Sequence, residues 1–415
     1  MEIKREKYLQ ELIDRMHNGM IKVITGLRRS GKSYLMNHIF YDYLLSIGVE
    51  ESHIIMVQLD VEENEALLDR HALAEYLRDK IVDRSQYYFL LDEIQEVDGF
   101  EKVLNSFLRK DNVDLYVTGS NSKFLSTDIK TELRGRGDEV HIYPLSFKEF
   151  YETKGGNELE AWNEYTIYGG MPLILSRRTE EQKSKYLKDL FEETYIKDIA
   201  ERNKVKGVPE LEELVDIMAS SIGALANPTR ISNTFESQKY ITIASETIKN
   251  YLGYLENAFL LSEVKRFDVI GKKYIDTPLK YYFEDIGLRN ARLNFRQLEE
   301  SHMMENIIYN ELRYRGFNID VGMVEINEKK DDRYVRKQLE VDFIANKGNQ
   351  KYYIQVAQVI PDDEKKEQEL RSLKKIPDSF KKIVIRKDNS ITYTDDDGIL
   401  HLYLFDFLLD KINID

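Results

Sequence analysis

The chain has 415 residues, no cysteine and a formal net charge of −14. That length allows two or three domains with separate cores. The missing cysteines exclude disulfides and thiolate metal sites, and the acidic balance excludes a general electrostatic pull toward nucleic acid.

Residues 1–20 suit a helix and lack the apolar core of a signal peptide. No run approaches 18 consecutive apolar residues, so a cytoplasmic chain with no membrane contact is expected. Ile21 to Thr25 is a β-branched run suited to a buried strand, and Lys32 to Leu45 reads as a helix. Between them Gly26-Leu27-Arg28-Arg29-Ser30-Gly31-Lys32-Ser33 matches G-x-x-x-x-G-K-[ST] without a gap. This is the phosphate-binding loop of a nucleoside triphosphatase. Its backbone N–H groups and the following helix N-terminus favour an anion. Lys32 suits the β- and γ-phosphates, and the Ser33 hydroxyl suits Mg²⁺. ATP is preferred to GTP, since no Asn-Lys-x-Asp guanine-reading segment is present.

A second strand is expected over His53–Asp60. A third, Tyr87 to Asp92, is apolar and ends in Asp92-Glu93, the form of a Walker B segment. There Asp92 holds Mg²⁺ with Ser33, and Glu93 orients and polarises the attacking water. The fourth strand, Leu115–Thr118, runs into Gly119-Ser120-Asn121. Ser120 and Asn121 are candidates to sense the γ-phosphate, and a plain turn fits equally well. Leu133-Arg134-Gly135-Arg136 follows. Arg134 and Arg136 either neutralise charge on the transferred phosphoryl group or form a solvated basic turn. A fifth strand covers Val140–Pro144. Strands alternating with helical patterns imply a parallel sheet flanked by helices, and the expected P-loop ATPase domain spans 1–150.

Residues 151–300 read as a helical and winged-helix domain. Tyr151 to Asp216 is mainly helical, broken at Gly169-Gly170-Met171-Pro172. Asn227 to Phe267 has the pattern of a winged helix, with wing strands Phe259–Phe267 and Lys272–Lys280. Its basic residues are Lys249, Lys265, Arg266, Lys272 and Lys273. Such a module reads DNA or contacts protein, and the acidic chain favours protein. The third expected domain, 301–415, opens with an amphipathic helix, Met303 to Arg315. Strands follow at Asn318–Glu325, Gln338–Ala345, Tyr352–Val359, Lys382–Ile385 and Leu402–Leu404. The seven histidines show no paired zinc spacing.

These segments together resemble the bacterial and archaeal AAA-type ATPases with a C-terminal domain of unknown function, related to the archaeal ATPases of the STAND branch. Besides the two Walker segments, the resemblance is carried by Thr118-Gly119-Ser120-Asn121, Leu133-Arg134-Gly135-Arg136 and Tyr168-Gly169-Gly170-Met171-Pro172. Tyr251-Leu252-Gly253-Tyr254-Leu255-Glu256 and Leu339-Glu340-Val341-Asp342-Phe343 extend it over nearly the whole chain. It implies an α/β chain: a P-loop sheet, a winged-helix segment, and a C-terminal fold similar to the PD-(D/E)XK nucleases. Glu305, Asp342 and Gln355-Val356-Ala357 fall in that fold's metal-binding places. Gln355 replaces an acid and Ala357 a lysine, so the implied domain is an inactive nuclease fold serving as a binding platform. The leading reading is an ATPase in which slow Mg-ATP turnover switches the C-terminal domains toward a protein partner, with oligomer formation compatible. An ATP-gated DNA-binding or defence module is the alternative, and an active ATP-dependent nuclease ranks below both.

Overall fold

The computed structural model describes residues 3–119, 135–239, 241–330, 333–388 and 391–414. They form two compact units, residues 1–144 with 257–259 and residues 145–256 with 260–415.

The first unit is built on five parallel strands: β1 Ile21–Gly26, β2 Ile54–Gln58, β3 Tyr87–Asp92, β4 Val113–Thr118 and β5 Gly137–Ile142. Their order is β2-β3-β4-β1-β5. Every residue of β1, β3 and β4 is buried, whereas β2 and β5 alternate with exposed positions. That difference follows from position, because inner strands of a parallel sheet are covered on both faces. One face packs Val23, Phe89, Leu91 and Val117 against Leu73, Leu77, Leu104 and Phe107. Within β1 the buried Lys22 is paired with Asp114 of β4, whose other oxygen accepts from Tyr116 at 2.9 Å. Without that partner a charged ammonium would be too costly in this interior.

The helix after β1 runs from Lys32 to Ser46 and widens to π geometry over Leu35–Phe40. Asn37 lies in the widened stretch.

In the second unit, helices Phe147–Lys154 and Glu158–Tyr168 lead into the Gly169-Gly170 break. Asp285 explains these glycines. It caps helix Ile286–Arg292 through Leu288 N at 2.9 Å and also accepts from Gly170 N at 2.7 Å. A Cβ on Gly169 would fall 2.4 Å from Asp285 Oδ1, and Gly169 has a φ of +71°. Only glycine meets both demands.

An eight-stranded mixed sheet completes this unit. Its strands are β6 Leu261–Asp268, β7 Lys273–Phe283, β8 Asn318–Lys330, β9 Arg333–Lys347, β10 Gln350–Ala357, β11 Lys381–Arg386, β12 Tyr393–Thr394 and β13 Leu400–Tyr403. The order is β12-β13-β11-β10-β9-β8-β6-β7. The hairpin expected as a wing is therefore part of the C-terminal sheet, because β6 pairs in parallel with β8 through Arg266–Val321, Phe267–Gly322 and Asp268–Met323. Helices Glu300–Tyr314 and Asp363–Lys374 cover the sheet. Among the described residues no helix is long and apolar enough to cross a membrane.

Candidate functional site

In an open parallel sheet, ligands meet the carboxyl ends of the strands. At that edge β1 and β3 flank β4, and each ends in a Walker segment. Gly26 leaves β1 at a φ of +131°, so close to β5 that a Cβ would lie 2.2 Å from Ile142 O. Arg29 and Gly31 also have positive φ, 64° and 103°. The loop thus turns tightly, with Leu27 and Ser30 buried and the Arg28 and Arg29 side chains exposed. Lys32 is only 4% exposed. Its Nζ donates to Gly26 O and Leu27 O, both at 3.0 Å, so the ammonium is held against the loop. Ser30 Oγ is buried and makes no hydrogen bond among the described residues.

Asp92 is 2% exposed and accepts from Ser33 Oγ at 3.0 Å, from Asn37 Nδ2 at 3.0 Å, and from Thr118 Oγ1. Burial pushes its carboxyl above the usual range. The hydrogen bonds from Thr118, Ser33 and Asn37 oppose that shift, and the charge of Glu93 adds to it. A carboxylate so placed gains from a nearby cation. Thr118 also accepts from Glu93 N at 2.9 Å, tying the end of β4 to the turn after β3. Glu93 sits at a φ of 52°, and its carboxylate accepts from Gln95 Nε2.

Gly26, Leu27, Arg28, Arg29, Ser30, Gly31, Lys32, Ser33, Asp92 and Glu93 are thereby gathered at one edge. The set suits a magnesium-bound nucleoside triphosphate. The loop backbone is tight, a buried hydroxyl at Ser30 has no partner among the described residues, and a hydroxyl and a carboxylate of the kind Mg²⁺ accepts lie side by side at Ser33 and Asp92.

Other expected residues fare differently. Ser120, Asn121 and Arg134 lie outside the described residues. The structure does not bring Arg136 to the loop of its own chain. Its backbone oxygen accepts from Ile21 N at 2.8 Å, at the start of β1, and its Nη1 donates to Asn105 Oδ1 at 3.2 Å. At the rise of an extended strand, the length of β1 separates it from Gly26 by about 16 Å.

In the second unit Lys249, Lys265, Lys272 and Lys273 are exposed, but Arg266 is buried in the sheet. Glu305 and Asp342 enter a buried cluster whose cation is Lys280, at 3.0 Å from Glu305 Oε1 and 2.7 Å from Glu340 Oε1. Tyr282 donates to Glu305 Oε1 at 2.6 Å, and Val356 N to Asp342 Oδ2 at 2.8 Å. Ala357 packs in an apolar cluster with Val341, Leu370 and Leu373. Among the described residues no group of three or more acids and histidines is arranged to hold a metal ion.

Sequence reasoning missed Asn37, Thr118 and Gln95. Asn37 had a signal, since it follows Ser33 by four residues on one helix and so shares its face.

Residues 18–151 match the family of AAA domains, and residues 159–299 match a domain of unknown function. An uncharacterized protein of Haemophilus influenzae is 36% identical over 413 residues, spanning 98% of both chains. Another, of Methanocaldococcus jannaschii, is 31% identical over 377 residues, covering 86% of this chain and 78% of its own length. Among solved structures, the Orc1 protein of Aeropyrum pernix in complex with DNA matches 71% of this chain and 93% of its own. Its 12% identity and TM-score of 0.35 are too low to bear on function.

Proposed function

We propose, for a chain that belongs to the family of AAA-type ATPases carrying a C-terminal domain of unknown function, that its first unit binds and slowly hydrolyses Mg-ATP. The nucleotide state acts as a conformational switch for the C-terminal domains, which engage a protein partner in the cytoplasm. The observation that carries this reading is the contact of Ser33 with Asp92, which joins the two Walker segments at the carboxyl edge of the sheet.

In this reading the backbone of Gly26 to Ser33 surrounds the phosphates, and Lys32 turns its ammonium from the loop carbonyls to the β- and γ-oxygens. Ser33 and Asp92 would hold Mg²⁺, which would neutralise phosphate charge when bound. Glu93 accepts the proton of the attacking water. Asn121 senses the γ-phosphate. Arg134 and Arg136 act on the nucleotide of a neighbouring copy, the arrangement compatible with the place of Arg136 at the far end of β1. The alternative of ATP-gated DNA binding gains nothing from the burial of Arg266.

Isothermal titration of Mg-ATP into the parent and Lys32→Ala tests the assignment. The variant should lose affinity by roughly 10- to 100-fold or more, the range of a lost hydrogen bond to a charged group. Equal affinity and equal turnover would end it.

A further inference from the structure

Gln95 lies two residues after Glu93 in the short 3₁₀ turn Ile94–Glu96. Its amide donates through Nε2 to Glu93 Oε2 and, at 3.5 Å, toward Glu96 Oε1. The other end of the amide, Oε1, is buried and receives no hydrogen bond among the described residues. Turning the amide over would set two acceptors, its carbonyl and the Glu93 carboxylate, against each other. The contact with Glu93 therefore fixes the amide, and an unsatisfied carbonyl is tolerated to keep it. Buried polar atoms without partners are uncommon, and each calls for a physical reason.

The backbone of Glu93 is constrained as well. It adopts left-handed geometry, which a non-glycine residue rarely takes, and its N–H is held by Thr118 Oγ1 at 2.9 Å. Thr118 spends its own proton on Asp92. Glu93 is thus gripped at the main chain by Thr118 and at the side chain by Gln95, and only the second grip sets where the carboxylate points.

We propose that Gln95 is a positioning residue for ATP hydrolysis. By holding Glu93 Oε2 it directs the other carboxylate oxygen to the attacking water. This rests on the reading of Glu93 given above. In the step served, the water oxygen bonds to the γ-phosphorus. The bond from that phosphorus to the β,γ-bridging oxygen breaks, and its electron pair leaves with ADP. Glu93 takes the proton released by water and passes it on to phosphate. Gln95 gains and loses none.

The test compares full-length parent, Gln95→Met, Gln95→Glu and Glu93→Gln. Gln95→Met keeps length and volume without the amide, and Gln95→Glu keeps the shape but loses the donor. Both should slow single-turnover hydrolysis at saturating Mg-ATP by roughly 10- to 100-fold, the effect of a misplaced reacting group. Their affinity for Mg-ATPγS should match the parent. Gln95→Met removes a buried orphan acceptor, so its melting temperature should stay unchanged or rise, whereas a merely structural residue would lower it. Added to Glu93→Gln, Gln95→Met should cause no further loss, because it acts through Glu93.

Parent-rate hydrolysis by Glu93→Gln would overturn the reading of Glu93 itself. An inactive Glu93→Gln with both Gln95 variants at the parent rate would overturn the Gln95 inference alone. So would a loss in Gln95→Met that follows weakened nucleotide affinity or a lowered melting temperature.

Discussion

Ser33 donates its hydroxyl to Asp92 Oδ1 across 3.0 Å, although 59 residues separate them in the chain. Asn37, one helical turn further on, holds the other oxygen of the same carboxylate at 3.0 Å. The helix after the phosphate loop and the end of β3 are therefore locked through one acid. Asp92→Asn should weaken ATP affinity in the presence of Mg²⁺ by roughly 10- to 100-fold, as for loss of a metal-site group. Affinity measured with excess EDTA should hardly change. Equal losses with and without Mg²⁺ would show that Asp92 serves the fold and not the metal.

Arg136 offers a sharper distinction. Placed at the start of β1 and bonded to Asn105, it lies a sheet's length from the phosphate loop of its own chain. At dilutions where turnover per chain is independent of protein concentration, Arg136→Ala should hydrolyse ATP as the parent does. If the parent's turnover rises with concentration, the variant should lose that rise. A loss in the dilute regime would mean that Arg136 reaches the phosphates of its own chain.

The edge that carries the two Walker segments was legible because its signals are local. The apolar runs of β1, β3 and β4 mark inner strands, and the loop and the Asp92-Glu93 pair sit at their ends. Gln95 and Thr118 gave no such signal, since their roles come from hydrogen bonds set by one turn and one strand pairing. The same holds for the second unit. Phe259–Phe267 and Lys272–Lys280, expected as wing strands, fall on β6 and β7, which do pair antiparallel, but the parallel pairing of β6 with β8 joins residues 55 positions apart, as Arg266 and Val321, and leaves no trace in local periodicity. Lys280, the last residue of the second expected wing strand, carried no sign of its surroundings for that reason, and is buried among acids.

Asp285 gives the clearest pH signature. Burial pushes its carboxyl up to about 6, against hydrogen bonds from the Leu288, Gly170 and Gly287 backbones, from an ordinary 3.8. The folded chain then binds this proton more tightly than the unfolded chain. The resulting stability is present below about pH 4 and is lost as pH rises toward 6, by about 3 kcal/mol in all. Asp285→Asn cannot titrate, and its amide also faces the Gly170 donor badly, so it should be less stable than the parent at every pH. The gap between the two, measured by urea unfolding at steps from pH 4 to 6.5, should narrow as pH rises. A constant gap would mean that Asp285 titrates alike in both states.

Lys280 carries the last expectation. Burial alone would lower its pKa, but Glu305, Asp342 and Glu340 outweigh burial and hold the ammonium charged well above the ordinary range. The Asp342 pKa is also raised, which for an acid favours the neutral form. Burial and the charge of Glu305 raise its carboxyl far above the usual value, despite Lys280 and the Val356 N–H. A cleavage site of the nuclease type needs several ionised acids free to converge on Mg²⁺ and a cation free to meet a phosphate. Here the ammonium is already bonded to two of the carboxylates, and the third position is the neutral Gln355. Ala357, where a lysine would stand, is packed among apolar side chains. Removing the cation should be costly, because Glu305 and Glu340 would be left without their partner. Lys280→Met should lose about 3–5 kcal/mol of unfolding free energy, the usual penalty for breaking a buried pair from one side. Purified protein should not cleave linear, circular or single-stranded DNA with Mg²⁺ or Mn²⁺, with or without ATP. Reproducible cleavage that disappears in Asp342→Ala would show that the cluster is a working metal site.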